Sequence, residues 1–317
     1  MTQLEELRRQ GKKMDSVDVL SVTYADKGME HAQKGDWEQA AAWHVKARQV
    51  QQDARGPWHH EVASFSNSIA VMYLQGGQPK EALPYLLEGL KIFRANQTED
   101  HLEGILCRNF LAMAYIQLDQ SDKALEQLRR VVELQEKAWG KSHPKTIDAR
   151  VNLGVGYATK YTDKDMQKAY DNLALAWQMH CARGEGSNSR GKASCAYNLA
   201  VVCTSGRNFD HALHYCQQAL DILRKILGRD EHVPRLLFDA SVGMAQMCMH
   251  ANKRDQAVAA LEQALRILEQ DRSGHDNTEI TRKTQHMIEQ ARQGKSIGFP
   301  APHVHFSFQE RDLDSRE

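Results

Sequence analysis

Four asparagines recur along this chain, one in each of four successive repeats, and their side chains suggest a binding surface. They are Asn67, Asn109, Asn152 and Asn198. Each carboxamide offers two donors and one acceptor carbonyl, so a row of them can hold the backbone of an extended peptide of any sequence. The alternative, left open by the sequence, is that these side chains cap turns or link helices within the protein.

Two further series run beside the asparagines. An apolar strip next to them would add selectivity for one or two large side chains of a partner, and a row of glutamines lies one helical turn further on. The apolar residues are Val71, Met113, Val155 and Val201, and the glutamines are Gln33, Gln75 and Gln117.

Other residue patterns with chemical potential are weaker. His211, His214 and Cys216 share a predicted helix, but no second cluster completes a zinc site. The glycine-rich residues 184–191 lack the Gly-Lys-Ser/Thr of a phosphate-binding loop and read as a linker. No Ser/His/Asp or Cys/His set is assembled, so we expect neither a metal, a cofactor nor an enzymatic activity.

Composition excludes several classes of protein. Lys+Arg and Asp+Glu both number 41, and this zero net charge argues against a nucleic-acid partner. No run of about 18 apolar residues is present, so membrane insertion is not expected. The six cysteines form no C-x-x-C pair, which favours a reducing compartment. We therefore expect a cytoplasmic protein, with cytoskeletal or ciliary association as an open alternative.

Small residues return at a step of 42, which predicts the architecture that must position these side chains. One series contains Gly28, Ala70, Ala112 and Gly154, and a second contains Ala40, Ala82 and Ala124. A fixed period between 20 and 50 residues indicates a solenoid, in which each repeat packs on its neighbours. The apolar spacing within each repeat predicts two helices joined by a tight turn.

We expect about six helix-turn-helix repeats followed by a capping helix. The predicted organisation is a lead-in at 1–20, a solenoid at 21–272, a capping helix at 276–293 and a flexible tail at 294–317. Within the solenoid the repeats are placed near 21–54, 63–97, 105–139, 147–182, 193–228 and 238–272.

The repeat resembles the tetratricopeptide repeat. Its signature matches Leu153-Gly154-x-x-Tyr157 with Ala169 in the partner helix, and the 42-residue step is similar to that of kinesin light chains. The segment from Trp139 to Thr146 also looks like the Gly-x-x-His-Pro linker of that family. The long heptad segment of kinesin light chains has no counterpart in the roughly 20 residues before the first repeat.

The resemblance implies an all-α, right-handed α-solenoid whose first helices line a concave groove. Mapped onto this chain, the asparagine, apolar and glutamine series would line that groove. The expected function is a non-enzymatic scaffold or adaptor that binds a protein or peptide partner. The alternatives are a structural subunit of a cytoskeletal or axonemal assembly, and a peptide-responsive regulatory sensor. The C-terminal tail could itself occupy the groove.

Overall fold

The computed structural model describes residues 15–183, 189–227, 233–270 and 277–297. Those residues contain thirteen α-helices and no strand, so the fold is an all-α solenoid of helix pairs. The chain divides into two compact units, one reaching Ala138 and the other beginning at Trp139. Residues 184–188 of the predicted linker and residues 298–317 of the predicted tail lie outside the described residues.

The first unit contains three helix pairs, and the second contains three pairs and a final single helix. The first unit has α1 Ser16–Gln33, α2 Trp37–Arg55, α3 His60–Gln75, α4 Pro79–Ala95, α5 Leu102–Gln117 and α6 Ser121–Trp139. The second has α7 Pro144–Ala158, α8 Asp163–Ala182, α9 Ser189–Ser205, α10 Phe209–Ile226, α11 Val233–His250, α12 Arg254–Gln270 and α13 Thr278–Arg292.

The two helices of a pair meet at the small residues that mark the repeat. A Cβ atom added to Gly28 would lie 3.1 Å from the Ala40 carbonyl oxygen, and one added to Gly154 would lie 3.2 Å from that of Ala169. The backbones therefore approach too closely for a large side chain, as the two series of small residues predict. Buried apolar side chains fill the remaining space between the helices.

The turn between the two helices of a pair contains a residue in the left-handed conformation, at the same position of the repeat in the first four pairs. Gly35, Gly77, Asp119 and Tyr161 follow one another at 42 residues, and all four have positive φ, between 53° and 76°. A left-handed residue after a helix lets its last carbonyl groups accept hydrogen bonds from the turn. The fourth turn lies at 159–162.

Histidines begin the first helix of three successive repeats. His59, His101 and His143 are the N-cap residues of α3, α5 and α7. The Nδ1 atoms of His59 and His143 each accept a backbone N–H bond at 3.3 Å, from Glu61 and Lys145 respectively. Burial lowers the pKa of both imidazoles, which favours the unprotonated acceptor form. The histidine of the Gly-x-x-His-Pro linker is thus a helix cap.

Replacing His143 with Ala is expected to lower the free energy of unfolding by about 1 kcal/mol, because α7 loses its N-cap acceptor. Urea denaturation at pH 8 measures this change. His101→Ala is the matched control, since the His101 side chain makes no cap hydrogen bond. Equal losses in the two variants would contradict the capping role.

Candidate functional site

The two predicted asparagines of the first unit are buried between helices. Asn67 is 1% exposed and Asn109 is 6% exposed. The Asn67 Nδ2 atom donates to the Glu103 carbonyl oxygen at 3.0 Å, which links α3 to α5. Within the described residues, the Oδ1 atoms of both asparagines are buried and have no hydrogen-bond partner. Asn67 therefore has an internal linking role, one of the two alternatives that the sequence leaves open.

The asparagines of the second unit are also buried, and they stand in a different register. Asn67 and Asn109 precede the small residue of their helices by three positions, whereas Asn152 and Asn198 precede Gly154 and Ala200 by two. One residue turns an α-helix by about 100°. The two pairs therefore lie on different faces of their helices, and the four residues are equivalent only within each pair.

The apolar series is mostly inaccessible to a partner. Val71, Val155 and Val201 are buried, while Met113 is half-buried. First helices pack against their own second helix and against the neighbouring repeats, so little of their apolar surface reaches solvent. Met113 is the member of this series whose side chain is partly accessible to solvent.

The glutamines are the exposed series. Gln33, Gln75 and Gln117 are the last residues of α1, α3 and α5, and all three are solvent-exposed. Met29 and Met113 precede two of them by four residues, a spacing that places each methionine and its glutamine on the same helix face. We call Met29, Gln33, Gln75, Met113 and Gln117 the first-helix face of the first unit.

Met29 is a member of this face that the sequence analysis missed. Its side chain is 43% exposed. The sequence contained a signal for Met29, because it directly follows the small residue of its repeat. Val71 and Met113 occupy the same position in the next two repeats. Exposure at this position is greatest in the first repeat, which has no described repeat before it to cover α1.

Two open clefts lie elsewhere in the first unit. A cleft of about 630 Å³ is lined by residues of 55–60 with Asn96 and Thr98, and it contains Trp58, which is half-exposed under the Lys91 ammonium. A second, of about 730 Å³, is lined by charged side chains around Glu99 and Arg108. Neither cleft was predicted from the sequence.

Two of the buried cysteines have thiols with a raised pKa. Burial raises the pKa of the Cys107 thiol to about 12 and that of Cys203 to about 11, so both remain protonated at neutral pH. Within the described ranges, no group of three or more His, Cys, Asp or Glu side chains has an arrangement suited to a metal ion. Nor does any described helix have the length and apolar character required to cross a membrane.

Family models identify the repeat in three stretches of the chain. Models of the tetratricopeptide repeat match residues 20–95, 105–145 and 193–233. No curated protein sequence matches the chain. The sequence resemblance to this repeat is therefore confirmed by family models that cover parts of both units.

Several solved structures share the fold at low sequence identity. A kinesin-light-chain-like protein of P. anserina with nearly identical TPR-like repeats has a TM-score of 0.57 at 20% identity, covering 67% of this chain and 98% of its own. BtubC (BKLC) of P. vanneervenii has a TM-score of 0.59 at 22% identity, covering 71% and 88%. A Rap protein complexed with competence and sporulation factor has a TM-score of 0.57 at 13% identity, covering 92% and 79%. The chain belongs to the tetratricopeptide-repeat proteins, and its repeats are similar to those of kinesin light chains.

Proposed function

We propose that the first unit binds a peptide segment of a protein partner on its first-helix face. The tetratricopeptide-repeat fold supports a protein-interaction scaffold in general. The observation that carries the specific proposal is the row of exposed glutamines, Gln33, Gln75 and Gln117. Each carboxamide can both donate to and accept from a peptide backbone. Met29 and Met113 would contact apolar side chains of the partner, since methionine adapts to irregular surfaces.

The comparisons support a protein or peptide partner in general. The Rap protein with the same fold is complexed with competence and sporulation factor. The sensor alternative, in which binding of a peptide changes the shape of the repeats, is a second proposal. A ligand-dependent change in the radius of gyration would separate a sensor from a passive scaffold.

The buried members of the predicted site in the first unit, Asn67, Val71 and Asn109, would act from beneath this face by packing its helices in place. In the second unit, Asn152, Val155, Asn198 and Val201 are likewise buried in first helices. Direct contact between the asparagines and a partner backbone stays a prediction. Replacing Asn109 would confound binding with stability because its side chain is buried.

The test is a quantitative pull-down with the Gln75→Ala/Gln117→Ala double variant. Both side chains are exposed, so the variant should keep the circular dichroism and melting temperature of the wild type. Gln49→Ala/Gln217→Ala is the matched control, because these glutamines are exposed on second helices. Partners lost only from the first variant would support the first-helix face. Identical partner sets for all three proteins would reject it.

The competing proposal is a structural subunit of a cytoskeletal or axonemal assembly, which the similarity to kinesin light chain repeats supports. Identical partner sets in the pull-down would favour it. We also propose that the tail, predicted at residues 294–317, competes for the first-helix face. Its deletion should then raise the affinity for a captured partner, and an unchanged affinity would refute this self-binding.

A further inference from the structure

Three guanidinium groups converge on one carboxylate in the second cleft of the first unit. The Arg108 Nη2 atom donates to Glu99 Oε2 at 2.7 Å, and Arg94 Nε donates to the same oxygen at 3.2 Å. The Arg130 Nη2 atom lies 3.5 Å from Glu99 Oε1. The arginines project from helices α4, α5 and α6, whereas Glu99 belongs to the connection between α4 and α5.

The three arginines differ in burial. The ion pair of buried Arg108 with Glu99 is structural, whereas the ion pairs of exposed Arg94 and Arg130 with Glu99 can be exchanged. The Arg108 side chain is only 3% exposed, and its Nη1 atom is held by Gln127 Oε1 at 2.7 Å. The side chains of Arg94 and Arg130 are 57% and 45% exposed. A buried guanidinium needs its carboxylate, whereas exposed ion pairs contribute little to stability. The contacts of Glu99 to Arg94 and Arg130 are therefore both longer and weaker than its contact to Arg108.

Buried Arg108 also retains a polar atom without a partner. Its Nε atom is buried and has no hydrogen-bond partner in the described part of the chain. Arg108 nevertheless lines the cleft of about 730 Å³. The inner end of the cleft therefore contains a buried positive charge with an unused donor. The position of Glu99 shows that a carboxylate fits among these guanidinium groups.

We propose that this cleft is a binding site for an acidic segment of a protein partner. A partner carboxylate binds Arg94 and Arg130 in the open part of the cleft and replaces their long contacts to Glu99. Glu99 stays paired with Arg108, so the connection between α4 and α5 need not move. The site lies apart from the first-helix face, whose glutamines do not line it.

The charges around the cleft favour a short, flexible acidic peptide over a nucleic acid. Its lining has five basic side chains and four acidic ones: Arg94, Arg108, Arg129, Arg130 and Lys137 against Glu99, Asp100, Glu126 and Glu133. A nucleic-acid backbone would place several phosphates against these carboxylates, which repel it. A flexible peptide can place one carboxylate against Arg94 and Arg130 while its other carboxylates stay in solvent, away from these acidic side chains. Binding at an exposed site of this kind should weaken as salt is added.

Calorimetric titration of the full chain with an end-capped hexaglutamate peptide tests the proposal. Hexaglutamine is the neutral control peptide, and inorganic phosphate is the control for a small-anion site. The test variant is Arg94→Ala/Arg130→Ala, which retains the pair of Glu99 and Arg108. Arg282→Ala is the matched control, because Arg282 is an exposed arginine in an ion pair with Glu279 on α13. The NMR signals of the arginine Nε–H groups report contact directly.

We expect the wild type to bind hexaglutamate but not hexaglutamine, with shifts of the Arg94 and Arg130 signals. The double variant should lose about tenfold in affinity, while Arg282→Ala should bind as the wild type does. Equal affinity for the two peptides, or an unchanged affinity of the double variant, would overturn the proposal. Phosphate binding without hexaglutamate binding would also overturn it, since the cleft would then hold small anions only.

Discussion

Replacing Glu99 with Gln is expected to lower the free energy of unfolding by about 3 kcal/mol, because it leaves the buried guanidinium of Arg108 without a counter-charge. The Arg108 side chain is 3% exposed, and its contact to Glu99 is 2.7 Å long. Glutamine keeps nearly the same shape, so the loss reports charge and not packing. Urea denaturation monitored by circular dichroism measures it.

Two further variants decide whether burial of the charge causes this loss. Glu133→Gln removes a carboxylate from the same cleft, but its contact to Arg130 is exposed and the expected loss is below about 1 kcal/mol. Adding Arg108→Met to Glu99→Gln removes the buried charge itself and should recover most of the stability, since an apolar side chain can replace a buried ion pair. A loss for Glu99→Gln no larger than that for Glu133→Gln would contradict the interpretation.

Much of the fold was predictable because close helix packing leaves a trace in the sequence. Gly28 and Gly154 have no room for a Cβ atom beside the carbonyl groups of Ala40 and Ala169, so the chain must return to small residues at the same step. The left-handed turn residues repeat with that step for the same geometric reason. Because this steric requirement recurs in every repeat, it produces a 42-residue periodicity that can be detected in a single sequence.

The candidate site was less predictable because exposure does not follow the period. Val71 and Met113 hold equivalent positions, yet the first is buried and the second is half-buried, since different neighbours cover them. Asn67 reads equally well as a peptide contact or as an internal link, and the link to the Glu103 carbonyl appears only once α3 and α5 are packed.

The residues of the charged cleft do not follow the 42-residue period. Glu99 and Arg108 are nine residues apart and meet because the connection between α4 and α5 folds back on the helix. One repeat earlier, Pro57 and Ser66 stand at the corresponding positions, so the pair belongs to a single repeat. Pattern analysis of 41 acidic and 41 basic residues cannot single out such a pair.

Acidification from pH 7.5 to pH 5 is expected to destabilise both units through one buried histidine in each. His44 in α2 and His180 in α8 are 4% and 2% exposed. Burial lowers the pKa of His44 to about 4. Burial, with a smaller contribution from Lys192 and Arg183, lowers the pKa of His180 to about 4. The Asp148 carboxylate, 3.8 Å from the His180 Nε2 atom, does not reverse this shift.

The sign follows from the number of protons that each state binds. An unfolded histidine has a pKa of about 6.5, so between pH 6.5 and pH 4 the unfolded chain binds more protons than the folded one. The stabilisation is complete above pH 6.5 and is lost as the pH falls towards 4. With these pKa values each histidine should cost about 2 kcal/mol at pH 5. Working above pH 5 keeps the titration of most carboxylates out of the measurement.

Urea denaturation of His44→Leu over the same pH range isolates one of the two groups. Both nitrogens of His44 are buried without a hydrogen-bond partner in the described residues, so leucine should be tolerated at pH 7.5. The variant should be spared about 2 kcal/mol of this destabilisation, because only His44 is removed and the pKa values of His59, His143 and His180 stay lowered. His286→Leu is the matched control, since His286 is exposed and its replacement should leave the pH dependence unchanged. If His44→Leu and the wild type lose equal stability at pH 5, the acid sensitivity does not arise from the burial of His44.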